Sequence, residues 1–220
     1  MKVEQLIFIL IMKKVFSFIL AASMMLIGAA AIAQPSLGIG YLNSTDKVKS
    51  GSTTKTTNLS GFYVGGSYNI NLAGSFGVAP GLYYGLATKS ADSYFGINTN
   101  VDVTEHYLSI PVMFNAGLTF ADGIVGRIYA GPSLAYGIAS DTKVKRSIAG
   151  FSKDTKINNY GDDYHYGRFD VMLGGGVAVE FFDMVRFNVG YDYGLVNRYT
   201  GDDDITRHRS QFNIGVAYLF

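Results

Sequence analysis

The 220-residue sequence has no cysteine, only four prolines and only three histidines. The lack of cysteine excludes a disulfide framework and a lipidated N-terminal cysteine. After residue 33, no apolar run approaches the length of about 18 residues that a membrane-spanning helix requires, so no helix in that part can cross a bilayer. With 27 glycines and 16 tyrosines beside so few prolines, the composition favours an all-β fold.

The first 33 residues have the pattern of an export signal. Two lysines precede an apolar run at 15–32 that ends in a small-x-small triplet. This order predicts a cleaved secretory signal peptide, and an uncleaved membrane anchor is the alternative because the run is long enough to span a bilayer. A start at Met12 would give a more ordinary signal, so the sequence is compatible with a start at Met1 or at Met12, with residues 1–11 as a start-site extension in the second case. The residues that define the predicted cleavage site are Ala31, Ala33 and Gln34.

The predicted mature domain, 34–220, is nearly neutral. It carries 15 Lys and Arg against 16 Asp and Glu, because three lysines and one glutamate belong to the leader. A net charge of about minus one gives no reason to expect a nucleic-acid partner.

Alternation of apolar and small or polar residues predicts β-strands throughout this domain. The last segment shows it best: Phe212, Ile214 and Val216 fall on one face, with glycine, alanine and asparagine on the other. Seven further segments alternate in the same way, and the first of them is short. The eight predicted strands are 36–42, 61–70, 75–87, 105–118, 124–138, 168–181, 185–195 and 211–220.

The connections between these strands alternate between long and short. Tight turns alternate with polar stretches that are predicted to be loops, which is the pattern of periplasmic turns and extracellular loops in outer-membrane barrels. The sequence therefore predicts an all-β, eight-stranded antiparallel up-and-down transmembrane β-barrel. The predicted loops are 43–60, 88–104, 140–166 and 197–208.

Charged residues within the predicted strands all fall on the face opposite the apolar one. A shift of one residue would place them in lipid, where an arginine at the midplane costs about 2–4 kcal/mol. The small residues on this face would let Tyr63, Tyr83 and Tyr129 fill a narrow lumen. The predicted lumen charge network is Arg127, Arg168, Asp170, Glu180, Arg186 and Asp192.

A turn centred on Asp183 places Glu180 opposite Arg186, and Gly174 opposite Asp192, as a cross-strand arrangement. We interpret the pair as structural, because charges in a low-dielectric lumen must be neutralised and pairing there plugs the barrel. A proton or ion path gated by the pair is the functional alternative, although eight strands leave little free lumen.

No catalytic, cofactor or metal site is predicted. The histidines, His106, His165 and His208, show no catalytic pattern, and Glu105 beside the first of them would point to the other face of its strand. The segment 201–204 has three aspartates without the spacing of a calcium loop and is predicted to be a solvated loop tip. The three glycines at 174–176 lie inside a strand, where a barrel bend or passing lumen side chains explain them.

Five segments also match a pattern seen in a known family: 107–112, 129–137, 168–171, 191–195 and 217–220. In these segments the sequence resembles the small outer-membrane β-barrel proteins common in Bacteroidetes, often called porin-family or OmpA-like barrels. The resemblance implies an eight-stranded barrel with both termini in the periplasm. It also implies that Tyr218 and Phe220 form a C-terminal signal read by the barrel-assembly machinery.

We therefore expect an exported, non-enzymatic protein of the outer membrane of a Gram-negative bacterium. Its expected role is structural or surface-interactive, with a plugged lumen and polar extracellular loops. A small porin and a lipid-modifying enzyme are the alternatives. The expected partners are outer-membrane lipid, the barrel-assembly machinery and an extracellular ligand at the loops, and no cofactor is expected.

Overall fold

The computed structural model describes residues 33–93, 98–148, 151–161, 165–201 and 204–220, and these residues form nine β-strands. None of them belongs to a helix that is long and apolar enough to span a membrane. The predicted signal peptide lies outside the described residues up to position 32, while Ala33 and Gln34 open the first strand. The strands are β1 Ala33–Ser50, β2 Thr53–Ala73, β3 Phe76–Ser93, β4 Asn98–Ala121, β5 Ile124–Ile148, β6 Phe151–Asn158, β7 Phe169–Phe181, β8 Val185–Gly194 and β9 Ile205–Leu219.

Eight of these strands close into a ring. The hydrogen-bonded order runs β4-β3-β2-β1-β9-β8-β7-β5, and an additional β4–β5 pairing closes it. The last strand pairs antiparallel with the first along its length, from Ser36 opposite Leu219 to Ser50 opposite Ile205. The predicted eight-stranded antiparallel barrel is therefore confirmed. The ninth strand, β6, pairs with β5 outside the ring.

The outward face of the barrel is apolar over a broad band. Large side chains that a water-soluble fold would bury are exposed instead, for example Leu37 at 61% and Ile128 at 64%. The buried residues are mostly small, polar or charged, such as Ser67, Asn69 and Glu180. This inversion follows from the period-two pattern when lipid, rather than protein, covers the apolar face.

The polar stretches predicted to be loops are largely strands, and this part of the prediction was wrong. β1 and β2 continue beyond their predicted ends to a turn at Gly51. β4 and β5 are paired as far as Asn98, which lies opposite Ser147. The first strand, predicted to be short, has 18 residues. The segments above the barrel are rich in Ser, Thr and Lys and show no alternation of apolar residues, so their pairing was not visible in the sequence.

At the barrel end that lies opposite these extended strands, the connections are short turns. The first and last described residues also lie at this end. Gly74 and Gly123 adopt positive φ in two of these turns. In the third, between β7 and β8, Phe182 and Asp183 have φ of 54° and 55°, and the Met184 amide donates to the Phe181 carbonyl at 3.0 Å. We call this the short-turn end, and the other the long-hairpin end.

Candidate functional site

The middle of the barrel is filled by tyrosines that stand over glycines. A Cβ on Gly176 or Gly190 would collide with the Tyr129 hydroxyl group, and one on Gly215 would collide with Tyr63. Tyr63 also packs edge-to-face on Tyr83, with ring centroids 5.8 Å apart. The expectation that small residues make room for interior tyrosines is thus confirmed.

A short-turn cluster of charges lies below these tyrosines, built on Glu180, Arg127 and Arg186. The Glu180 Oε1 atom lies 2.8 Å from Arg127 Nε and accepts a hydrogen bond of 2.7 Å from Arg186 Nε. Glu180 is opposite Arg186 and Gly174 is opposite Asp192, so the predicted register is confirmed. Arg127 also donates to Asn115 at 3.1 Å.

A long-hairpin cluster lies at the other end of the lumen and centres on the Glu105 carboxylate. Its Oε1 accepts from Arg198 Nη2 at 2.7 Å, from Arg209 Nη1 at 3.2 Å and from the Tyr160 hydroxyl at 2.8 Å. Its Oε2 accepts from the Tyr166 hydroxyl at 3.3 Å. All five side chains are buried, so one carboxylate neutralises part of the charge of two arginines away from water.

Stacked rings and guanidinium groups complete the long-hairpin cluster. Tyr160 and Tyr166 stack with ring centroids 5.2 Å apart. The guanidinium carbons of Arg198 and Arg207 lie 4.4 Å and 3.7 Å from the Tyr166 ring centroid, within cation–π range. Burial, and after it the negative charge of Glu105, raise the pKa of Tyr160 above its usual value, so this hydroxyl remains a donor at neutral pH.

A cavity of about 180 Å³ lies in the lumen between the two clusters. Its wall includes Tyr107, whose hydroxyl donates to Gln211, and Asp192, which accepts from Asn213 at 3.0 Å. Arg127 lines it as well. The space is large enough for several water molecules.

Five of the six residues of the predicted lumen charge network line or approach the lumen, but they belong to separate groups of contacts. Asp170 is buried near Arg198 and Arg209, residues of the long-hairpin cluster. Arg168 lies apart from the network: its Nη1 donates to the Ile138 carbonyl at 2.9 Å, and its guanidinium carbon lies 4.6 Å from the Tyr160 ring centroid. It precedes β7, so the strand alternation that predicted a lumen position does not apply to it.

The sequence analysis missed Glu105, Arg198 and Arg209 as a unit. Glu105 was noticed only as a neighbour of His106, although its alternation with Tyr107 already predicted an inward side chain. Arg198 lies in the predicted loop 197–208, and Arg209 lies between that loop and the predicted last strand. Their pairing with Glu105 joins positions 93 and 104 residues apart, which a sequence pattern does not reveal.

The three histidines are held by different tyrosines. His106 Nδ1 lies 2.6 Å from the Tyr84 hydroxyl, and His208 stacks on Tyr193 with ring centroids 6.2 Å apart. The third, His165, meets an aromatic ring edge-to-face. Within the described ranges, no group of three or more His, Cys, Asp or Glu side chains could hold a metal ion. Two aspartates of the segment 201–204 lie outside the described residues.

The predicted assembly signal lies at the short-turn end. Tyr218 and Phe220 are both exposed on the outer wall, and their rings meet edge-to-face with centroids 4.9 Å apart. The Phe220 amide donates to the Pro35 carbonyl at 2.9 Å, and Gln34 Nε2 donates to the Asp183 carbonyl at 3.4 Å.

Comparison with solved structures found bacterial proteins that are similar to this chain at low sequence identity. Ail, the attachment invasion locus protein of Yersinia pestis solved with the heparin analogue sucrose octasulfate, is 15% identical, with 86% of this chain and 99% of that chain covered and a TM-score of 0.46. Neisserial surface protein A is 13% identical over 84% and 97%, with a TM-score of 0.44. The outer membrane enzyme PagL is 12% identical over 80% and 97%, with a TM-score of 0.43.

No curated protein matches the chain. A family model described as the outer membrane protein beta-barrel domain matches residues 33–199, which is most of the chain. In barrels of this kind the short turns face the periplasm and the longer connections face the exterior. The chain belongs to the outer-membrane β-barrel family and is an integral protein of the Gram-negative outer membrane.

Proposed function

We propose that this barrel is a non-enzymatic surface-interaction protein whose lumen is plugged. The observation that carries the proposal is the pair of buried charge clusters, centred on Glu180 and Glu105, that occupy the two ends of the lumen. Two or more cations converge on each carboxylate, so opening the lumen would separate buried charges. The groups available to a partner are then the four hairpins beyond the apolar band.

Within the described residues, three of these connections continue as paired strands, β1–β2, β3–β4 and β5–β6, which supports a role in recognition. β5 has 25 residues, and its upper part pairs with both β4 and β6 from Asp141 to Ser147. A paired sheet holds its side chains in place before binding and so loses less conformational entropy when a partner binds. We further propose an extracellular ligand at these hairpins, and the barrel-assembly machinery as a partner through Tyr218 and Phe220.

Planar-bilayer conductance of the purified, refolded barrel tests the plugged lumen. We expect no steady openings from the wild-type protein at neutral pH. Glu105→Gln combined with Glu180→Gln, which weakens both clusters, should produce openings, whereas Asp141→Asn, which affects an exposed pair outside the lumen, should not. Steady wild-type openings would refute the proposal and support a narrow pore.

The central cavity is the specific observation that favours this second candidate. Polar side chains in its wall, such as Asn115, Asn188 and Asp192, offer contacts to a permeating water or ion between the clusters. A pore would also require each cluster to open, and the conductance of the two single variants would show which one limits flow.

The enzyme alternative is tested separately. We propose that the histidines serve aromatic contacts, so replacing His106, His165 and His208 by Ala should leave the lipids of the outer membrane unchanged. Lipid analysis by mass spectrometry of cells with the wild-type and triple-variant proteins measures this. A lipid species that is lost with the triple variant and restored with the wild type would contradict the proposal.

A further inference from the structure

The outer wall of the barrel has a notch where β5 changes neighbours. β5 pairs with β7 up to Tyr136, opposite Phe169, and with β6 from Asp141, opposite Asn158. Between these two ladders the wall opens into a groove. Its lining residues are Ile138, Ala139, Asp141, Lys156, Asn158 and Arg168.

The notch lies at the upper edge of the apolar band. Tyr136 and Ile138, the last large outward apolar residues of β5, are 52% and 44% exposed. The outward positions that follow on this strand are polar or charged, beginning with Asp141. In outer-membrane barrels the apolar band is bordered by aromatic residues at the level of the lipid headgroups, so the change from apolar to charged residues beyond Tyr136 marks this level.

The charge of the notch is positive. Lys156 and Arg168 face a single carboxylate, Asp141, which lies 3.1 Å from the Lys156 ammonium nitrogen. The neighbouring cross-strand pair, Lys143 and Asp102, adds no net charge. Within the described residues, no carboxylate lies within ion-pair distance of Arg168.

Arg168 is also held in place for binding. Its Nη1 donates to the carbonyls of Gly137 and Ile138, at 3.3 Å and 2.9 Å, and its guanidinium group lies over the Tyr160 ring. Both hydrogen bonds that its guanidinium group makes with the described residues use Nη1, so within that part of the chain Nε and Nη2 remain for a ligand. A planar guanidinium with free donors matches a phosphate group, which it binds through two parallel hydrogen bonds.

We propose that this notch binds a phosphate group of a phosphorylated glycolipid in the outer leaflet. The lipid chains lie along the apolar wall below Ile138, Arg168 donates to the phosphate oxygens, and Lys156 supplies the second cation. The site lies on the outer wall at the base of the β5–β6 hairpin, outside the lumen. It fixes the barrel to its own membrane rather than to a partner in solution.

Native mass spectrometry of the refolded full-length barrel, extracted from vesicles with a defined lipid mixture, tests the proposal. The vesicles contain phosphatidylcholine with either bis-phosphorylated lipid A or its fully dephosphorylated form. We expect retention of the phosphorylated form to be greater by about tenfold, and Arg168→Gln to remove this preference, because charge-assisted bidentate bonds carry it. Lys55→Gln, which removes an exposed cation on β2, is the matched control and should retain the preference.

Arg168 also contacts Tyr160, so the fold of each variant is checked by heat-modifiability on a semi-native gel. Lys156→Gln leaves that contact intact and should weaken the preference by a smaller factor. Equal retention of the two lipid A forms by the wild-type protein would overturn the proposal, as would an unchanged preference in folded Arg168→Gln. Full displacement of the lipid by millimolar inorganic phosphate would also overturn it, by showing a site for free phosphate.

Discussion

Replacing Glu105 by Gln is the sharpest test of the long-hairpin cluster. The substitution keeps the shape of the side chain but leaves Arg198 and Arg209 buried without their shared counter-charge. The side chains of these three residues are 5%, 1% and 2% exposed, so solvent does not screen the loss. Removing one partner of a buried ion pair costs about 3–5 kcal/mol, and we expect the free energy of unfolding to fall by that amount.

Urea titration of the barrel folded into phospholipid vesicles measures this change. The folded fraction is followed by circular dichroism and by the mobility of unboiled samples. Asp141→Asn is the matched control, because it breaks an ion pair whose Lys156 side chain is 62% exposed, and it should cost less than about 1 kcal/mol. The double variant Glu105→Gln, Arg198→Gln should recover part of the loss, since one unpaired cation is removed.

The result that would refute this reasoning is a Glu105→Gln variant that is no less stable than Asp141→Asn. Such a result would mean that water reaches the arginines and that the long-hairpin end of the lumen is open. A double variant that loses the sum of both single losses would show that Glu105 and Arg198 do not act together.

Three further predictions use the same titration. Gly215→Ala places a methyl group against the Tyr63 hydroxyl and should cost about 1–3 kcal/mol. Gly38→Ala, where a Cβ meets nothing closer than 3.1 Å, should cost much less, and equal losses would count against the packing argument. Asp183→Gly should stabilise the turn by up to about 1 kcal/mol and Asp183→Ala should destabilise it, because φ is 55°; the reverse order would contradict this. Burial and the carboxylate of the long-hairpin cluster raise the pKa of Tyr160. The unfolded chain therefore releases this proton first, stability falls as pH rises above about 10, and Tyr160→Phe should flatten that fall; a slope as steep as in the wild type would exclude the effect.

The barrel itself was predictable because the membrane imposes a strict alternation on each strand. Where one face of a strand meets lipid, an apolar residue such as Ile214 or Val189 cannot exchange places with its small or polar neighbour in sequence. The alternation therefore determines the pairing register of adjacent strands. The turn at Asp183 then fixed the partners of β7 and β8, and the pairing of Glu180 with Arg186 followed from it.

Above the membrane no lipid requires an apolar face, so these segments lack the alternation from which a strand could be predicted. The stretch 43–50 is a strand although it alternates nothing apolar, because its pairing partner in β9 supplies hydrogen bonds that no local pattern records. Arg168 was misplaced for the same reason: it continues the alternation of β7 in sequence, but the strand begins after it. The long-hairpin cluster depends on such distant pairings and could not be predicted.

The two charge clusters differ in how much of the chain must fold before they form. Glu180 and Arg186 are six residues apart and meet as soon as the β7–β8 hairpin closes. Glu105 and Arg209 are separated by 104 residues and meet only when the final strand has joined the first. Because closing the longer loop costs more conformational entropy, the first contact precedes the second during assembly. The contact of Glu105 with Arg209 therefore reports closure of the barrel, whereas the contact of Glu180 with Arg186 reports only a local hairpin.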